Sequence, residues 1–338
     1  MKKYHTVIVG AGPAGLACAT MLAQAGREVL VLERRNRVGP KVCAGGITWS
    51  GLKQRLPEDL LQKAFPDQHI RTPWQQTAIS AGQPLVSTVS REELGQWQLD
   101  QARAAGARIL SSTAVGRLAA DHLEAGGETF GFRYLVGADG SGSKVRQYLG
   151  LPTLTVGVGV NCFVPGNFMR MEWHLDPYYF NNGYAWVFPH REYAAIGAYA
   201  SRLTTRPLVL QKNFRRWADK HGIYLGAAKM TAALINYDFR GWRFGNFFLT
   251  GDAAGLASPL TGEGIYPAII SGEEAARTIL DPAYRAPQLD ALLVRHRHHR
   301  RLVAFTGANR LACRLTLEGL VLALRVGLLP FTALEMAG

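Results

Sequence analysis

Apolar positions along the chain change their pattern several times, and each change predicts an element. Thr6–Val9 is a short unbroken apolar run and reads as a strand; Gly10–Gly15 is a turn. Leu16–Ala25 is an alanine-rich helix ended by Gly26, and Val29–Leu32 is a second strand closed by Glu33. Together these make one βαβ unit with its crossover. Arg37–Thr48 reads as a glycine-containing loop, followed by a helical stretch to about Phe65. Thr77–Ser90 alternates and predicts strands, Arg91–Ala105 predicts a helix ended by Gly106, and Arg108–Leu110 and Tyr134–Val136 predict two more strands. Between Val156 and Ile235 the texture becomes aromatic and β-rich, with Trp173, Tyr178, Tyr179, Phe180, Tyr184, Trp186 and Phe188, as expected for a second sheet. A strand-and-glycine signal returns at Phe247–Gly264, a helix is predicted from Ile265 to about Leu280, and the chain is helical and basic from Tyr284 onward.

Composition narrows the class. The chain has 338 residues, 48% hydrophobic and 19% charged, which suits one large or two interleaved folded domains. A net charge of +13 points to nucleic acid, an acidic membrane surface or an anionic ligand. No zinc-finger spacing and no RNP-like segment occurs, so nucleic acid is not expected. Cys18, Cys43, Cys162 and Cys313 lie far apart with no CxxC pair. That argues against a disulfide framework or a zinc site and for a reducing compartment. The apolar run after Met1-Lys2-Lys3 is short and leads directly into a glycine motif, so it reads as a first strand of a cytoplasmic protein.

Two C-terminal segments invite other readings. Arg295–Arg301 interleaves histidine and arginine; it is expected to be a solvated basic helix face, with no metal. Ala308–Leu329 is helical in pattern, with Arg310, Arg314, Glu318 and Arg325 on one narrow stripe. Its charges and Pro330 argue against a membrane span. It either packs on the protein, the favoured reading, or lies on a membrane surface with its arginines toward lipid phosphates.

The chemistry begins at Gly10-Ala11-Gly12-Pro13-Ala14-Gly15, a GxGxxG between a strand and a helix. The first glycine permits the tight turn, the second lets backbone approach a pyrophosphate, and the third lets helix pack on strand. The helix N-terminus then directs N–H groups at the phosphates, and Glu33 is placed to accept from a ribose hydroxyl. Two further segments follow strands: Val136-Gly137-Ala138-Asp139-Gly140-Ser141-Gly142-Ser143-Lys144-Val145-Arg146, and Gly251-Asp252-Ala253 with Ser258–Ile265 behind it. Each Gly-Asp sets a carboxylate at the carboxyl end of a strand, where it can accept from a polyol. These three motifs in order resemble the para-hydroxybenzoate hydroxylase-like flavoproteins. The resemblance implies FAD, with Asp252 on the ribitol, Gly262–Ile265 against the isoalloxazine and Arg91 beside the flavin chain. The cofactor-binding set expected is Gly10, Gly12, Pro13, Ala14, Gly15, Glu33, Arg34, Lys41, Ala44, Gly45, Arg91, Val115, Asp139, Gly251, Asp252, Pro259, Gly262, Glu263, Gly264 and Ile265.

Lys41-Val42-Cys43-Ala44-Gly45-Gly46, Tyr184-Ala185-Trp186-Val187-Phe188-Pro189 and Ser258–Ile265 resemble the geranylgeranyl reductase family more narrowly. Ala44 and His190 depart from its usual glycine and lysine. The resemblance implies an α/β fold, with a Rossmann-like FAD-binding domain (1–65, 88–150, 238–285), an interleaved β-rich substrate domain (66–87, 151–237) and C-terminal helices (286–338). It also implies reduction of isoprenoid C=C bonds of a prenyl lipid by hydride transfer from reduced flavin. Cys43, Tyr184 and Trp186 are the catalytic candidates. For Tyr184, Trp186 and Phe188 the plain alternative is the core of the second sheet; for Cys43 it is a small buried side chain. No second GxGxxG exists, so NAD(P)H must dock transiently or a redox protein must deliver the electrons. A membrane-surface contact through the basic C-terminal helices would set the enzyme on the inner face of the membrane. Two other functions share these motifs: an FAD-dependent monooxygenase of an apolar or aromatic substrate, and a prenyl-lipid-binding flavoprotein without turnover.

Overall fold

The computed structural model describes residues 1–337. Its main sheet has eight strands, and the path runs Arg243–Phe244, Phe247–Leu249, Glu128–Gly137, Lys2–Val9, Val29–Leu32, Arg108–Leu110. All neighbours on this path are parallel except the first pair. Helices Pro13–Gln24, Arg91–Ala104 and Ile265–Leu280 pack together on one face. Val29–Leu32 is buried throughout, as a parallel strand covered on both faces must be.

The second sheet has seven strands, in the order Thr231–Asn236, Val156–Pro165, Tyr193–Ser201, Tyr184–Pro189, Glu172–His174, Asp67–Arg71, Gln76–Ser80. One face packs on helix Pro207–Lys220 through Leu210, Phe214 and Trp217, and the other faces the main cavity. A three-stranded sheet, Gly46–Thr48, Val86–Val89 and Leu61–Phe65, lies beside the cavity's glycine-rich loop.

The structure corrects several sequence expectations. The stretch after Thr48 is not a helix to Phe65: Lys53–Arg55 and Glu58–Leu60 are single 3₁₀ turns around Pro57, and Leu61–Phe65 is a strand. Pairing with Val86–Val89 selects the extended form there over local propensity. Thr77–Ser90 divides between two sheets. The strand at Tyr134–Val136 is the end of a ten-residue strand, Glu128–Gly137.

The C-terminal helix breaks at Asn309, whose side chain caps helix Arg310–Arg325. The charged stripe there is split: Arg310 and Arg325 are exposed, but Arg314 and Glu318 are packed on the protein. Glu318 is buried and accepts from Thr72 Oγ1 at 2.6 Å, Trp74 N at 3.0 Å and Gln75 Nε2 at 2.8 Å, and Arg314 lies over the Trp74 ring at 4.4 Å. Leu311, Leu315, Leu322 and Val326 form the exposed side instead. In the preceding helix, Pro287–Ala308, His296 and His299 point inward and are buried, so the basic run is amphipathic and not a wholly solvated face. Among the described residues no helix is long and apolar enough to cross a membrane, and no group of His, Cys, Asp and Glu is arranged to hold a metal ion.

Candidate active site

One cavity of about 720 Å³ runs from the first glycine turn to the C-terminal helix. At one end Gly10 turns with φ 105°, and a Cβ there would meet the Ala138 carbonyl oxygen at 2.4 Å. Only glycine fits that crossing of two strand ends. A Cβ on Gly12 would meet nothing closer than 4.0 Å, so the open space lies directly over the N-terminus of helix Pro13–Gln24. That terminus has Gly12 as its cap, no side-chain capping bond and no acid in its first turn, which leaves it free for an anion. Glu33 Oε2 accepts from Ala11 N at 2.8 Å and its Oε1 from Arg35 N at 2.9 Å, so this carboxylate also fixes the loop. Arg34 and Val115 line the same end.

Two carboxylates follow. Asp139 Oδ2 accepts from Lys144 N at 2.7 Å, at the start of a short helix that Ser143 caps, while its Oδ1 is buried without a partner. Desolvation raises its pKa. Asp252 is buried; its Oδ2 takes hydrogen bonds from Lys41 Nζ at 2.9 Å and Ser141 Oγ at 3.1 Å. Arg91 opens its helix next to the Ser90 cap and is buried, with Nη1 unpartnered; desolvation lowers its pKa, opposed by the charges of Cys43 and Asp252. An open glycine cradle, an unsatisfied carboxylate oxygen and an unsatisfied guanidinium nitrogen along one cavity are the features a dinucleotide with a polyol linker needs. FAD therefore fits. Gly10–Ala14 would hold its pyrophosphate, Glu33, Arg34 and Val115 its adenosine half, and Asp252, Lys41 and Arg91 its ribitol side. Gly262–Ile265, at the uncapped N-terminus of helix Ile265–Leu280, would meet its ring.

Past that segment the wall turns aromatic. Tyr184, Trp186 and Phe188 share one face of their strand, as alternation requires, and all three line the cavity together with Trp173 and Tyr199. Ring centroids in this set lie 4.7–6.3 Å apart. The intervening Ala185 and Val187 face the other core. Gly197 makes the wall possible, since a Cβ there would meet Trp186 Cζ2 at 2.3 Å. Tyr184 donates to the Thr261 carbonyl, and burial raises its pKa. Trp186 Nε1 is buried without a partner. Cys43 is half-buried at the junction of the two ends, its Sγ accepting from Gly45 N at 3.4 Å.

The cavity thus brings together all the expected site residues except Gly15, Gly45 and Pro259, which shape its wall from behind. A Cβ on Gly15 would sit 2.0 Å from the Gly10 oxygen, Gly45 turns with φ 78°, and the Pro259 carbonyl accepts from Tyr199 at 2.8 Å. Sequence reasoning missed Ser141 as a partner of Asp252, although it stands inside a motif already singled out. It also missed the last wall: Leu317, Leu320, Leu324, Phe331, Leu334 and Glu335. Helical spacing could have offered the three leucines of Arg310–Arg325, but no local signal marks Glu335.

This order of glycine turn, paired strand-end carboxylates and apolar recess defines a flavin-binding α/β oxidoreductase. The family described as FAD binding domain matches residues 3–305. A geranylgeranyl diphosphate reductase of Rhodobacter capsulatus is 29% identical over 300 residues, covering 82% of this chain and 75% of that protein. A menaquinone reductase of Mycobacterium tuberculosis is 31% identical over 349 residues, covering 92% and 83%. Among solved structures, a geranylgeranyl bacteriochlorophyll reductase-like protein of Thermoplasma acidophilum shares the fold at a TM-score of 0.84 and 20% identity, covering 100% of this chain and 96% of that one. The chain belongs to the geranylgeranyl reductase family of FAD-dependent oxidoreductases.

Proposed function

We propose that this enzyme saturates C=C bonds in the isoprenoid chain of a prenyl lipid. The observation that carries the reading is the continuity of the cavity: the flavin end opens without a break into an aromatic and leucine-lined recess. FAD, when bound and reduced, supplies a hydride. The chain's own residues do the rest. Trp173, Tyr184, Trp186 and Phe188 hold an apolar chain and exclude water, with Leu320 and Leu324 closing the far side. In the division of labour we propose, the main sheet serves the cofactor and the seven-stranded sheet serves the substrate. The Rhodobacter geranylgeranyl diphosphate reductase and the Mycobacterium menaquinone reductase support the same substrate class. Electrons come from NAD(P)H docked transiently or from a redox protein.

The test is anaerobic. Reduce the bound flavin, add prenyl lipids, and follow reoxidation together with product mass. Reoxidation with a gain of two mass units per double bond is expected; a flavin that ignores every alkene but in air inserts oxygen into an apolar or aromatic substrate would establish the monooxygenase reading instead. Cys43→Ala should keep FAD but slow the reduction, and an unchanged rate removes Cys43 from the chemistry. We also propose that the protein works at the inner surface of a membrane. Exposed Leu311, Leu315, Leu322 and Val326, with Arg310 and Arg325 on the same helix, suit the edge of an anionic bilayer. Failure to bind anionic liposomes at low salt removes that contact.

A further inference from the structure

The reduction proposed above needs a proton as well as a hydride, and the cavity wall contains an arrangement suited to supply it. Glu263 belongs to the segment that would meet the flavin ring, and Glu335 comes from the C-terminal end; both line the cavity. The tail carrying Glu335 is fixed onto Glu263: Met336 N donates to Glu263 Oε2 at 3.0 Å. On its other side Glu335 Oε2 accepts from Ser50 Oγ, and Ser50 is exposed. The groups therefore follow one another from the cavity to the surface: Glu263, Glu335, Ser50.

We propose that Glu263 and Glu335 form a pair of protonated carboxyl groups whose inner member, Glu263, delivers a proton to the reacting alkene. This rests on the reductase reading. In the balanced step, one alkene carbon takes the flavin-derived hydride, with its electron pair. The other carbon takes the Glu263 proton through the former π electrons. The resulting carboxylate recovers a proton from Glu335, which is resupplied through Ser50 from solvent. Bound FAD would supply that hydride, and the nicotinamide or redox-protein donor would replace it.

The electrostatics support the geometry. Burial raises Glu263 to about 7, and burial together with the charge of Glu263 raises Glu335 to about 8. The charge of Glu263 acts on Glu335, so the two titrations are coupled. Arg295, from helix Pro287–Ala308, donates to the Glu335 carbonyl at 3.3 Å and opposes the rise at both acids. Tyr184 and Tyr266 face Glu263 as neutral phenols, and their own pKa values are raised. His299 lies beside Arg295, and burial keeps it neutral above about 4. Among the described residues Arg295 is the cation that acts on both acids, and desolvation outweighs it.

The test uses the full-length FAD-loaded protein and a farnesyl- or geranylgeranyl-bearing lipid. The wild-type rate of anaerobic reoxidation should fall as pH rises through about 7–8, because only the protonated pair donates. Glu263→Gln should lower that rate by about 10²–10⁴-fold at saturating FAD, and Glu263→Asp should restore part of it. Glu335→Gln should slow repeated turnover more than the first reoxidation, because it cuts the resupply through Ser50. A substrate-free readout stands beside these: infrared difference spectra at pH 6.5 should show a protonated carboxyl band that Glu263→Gln weakens. Full activity in Glu263→Gln, or no such band in folded wild type, overturns the pair. If the wild type shows the band but reduces no prenyl alkene, the reductase reading and the delivery step both fall, and the protonated carboxyl pair stands.

Discussion

Replacing Arg91 with methionine should stabilise the protein without FAD and weaken its hold on FAD. Arg91 is buried with Nη1 unpartnered, and its charge is taken out of water with only partial compensation from Asp252. An unsatisfied buried group of this kind costs about 1–3 kcal/mol, which methionine, similar in length and apolar, would recover. At ~2.1 cal/mol/K of unfolding entropy per residue, a chain of this size has about 0.7 kcal/mol/K, so the apoprotein Tm should rise by about 1.5–4 °C. The same change removes a charge-assisted hydrogen bond to the flavin chain, worth about 1.5–3 kcal/mol, and should raise the FAD Kd about 10- to 150-fold. Scanning fluorimetry of stripped and FAD-loaded protein measures the first effect, and quenching of flavin fluorescence measures the second. If the stripped variant melts lower than wild type, Arg91 is a structural residue and the cofactor argument built on its free nitrogen fails.

Two further outcomes follow from geometry and burial. Gly12→Ala meets no atom closer than 4.0 Å and should leave the apoprotein Tm within about 1 °C, yet weaken FAD binding by about tenfold or more; tight binding would move the pyrophosphate elsewhere. His296 and His299 are pushed by burial from 6.5 to about 4, so the unfolded chain takes up protons below about 6.5 that the folded chain refuses. Their contribution is complete above that pH and lost as pH falls toward 4, by roughly 3 kcal/mol each at most. Melting curves from pH 7.5 to 4.5 should show the loss, and a double His→Gln variant should flatten it.

What could be read in the sequence was whatever backbone geometry imposes locally. The glycine turn at residues 10–15 and the Gly-Asp at 251–252 stand out because few other residues fit a left-handed turn at a strand end. The aromatic stripe at Tyr184, Trp186 and Phe188 was legible as one face of a strand, but whether that face closes a core or lines a recess depends on the opposite wall. That wall is remote in sequence. Lys41 meets Asp252 across 211 positions, and Glu318 is claimed by a turn at residues 72–75. Leu61–Phe65 became a strand because Val86–Val89 was available to pair with it, and His296 and His299 turned inward within a run whose charge suggested the opposite. Each is a long-range choice that local propensity does not encode.

The recess draws its walls from residue 9 to residue 335, so it is assembled in the order of synthesis. The glycine turn and the aromatic strand emerge first; the leucines of Arg310–Arg325 come only after a further hundred-odd residues. At ~5–20 residues per second, the aromatic surface faces water for several seconds before its cover exists. A nascent chain in that state is a natural client for a holding chaperone, and a ribosome that pauses between residues 190 and 310 would prolong its most aggregation-prone interval.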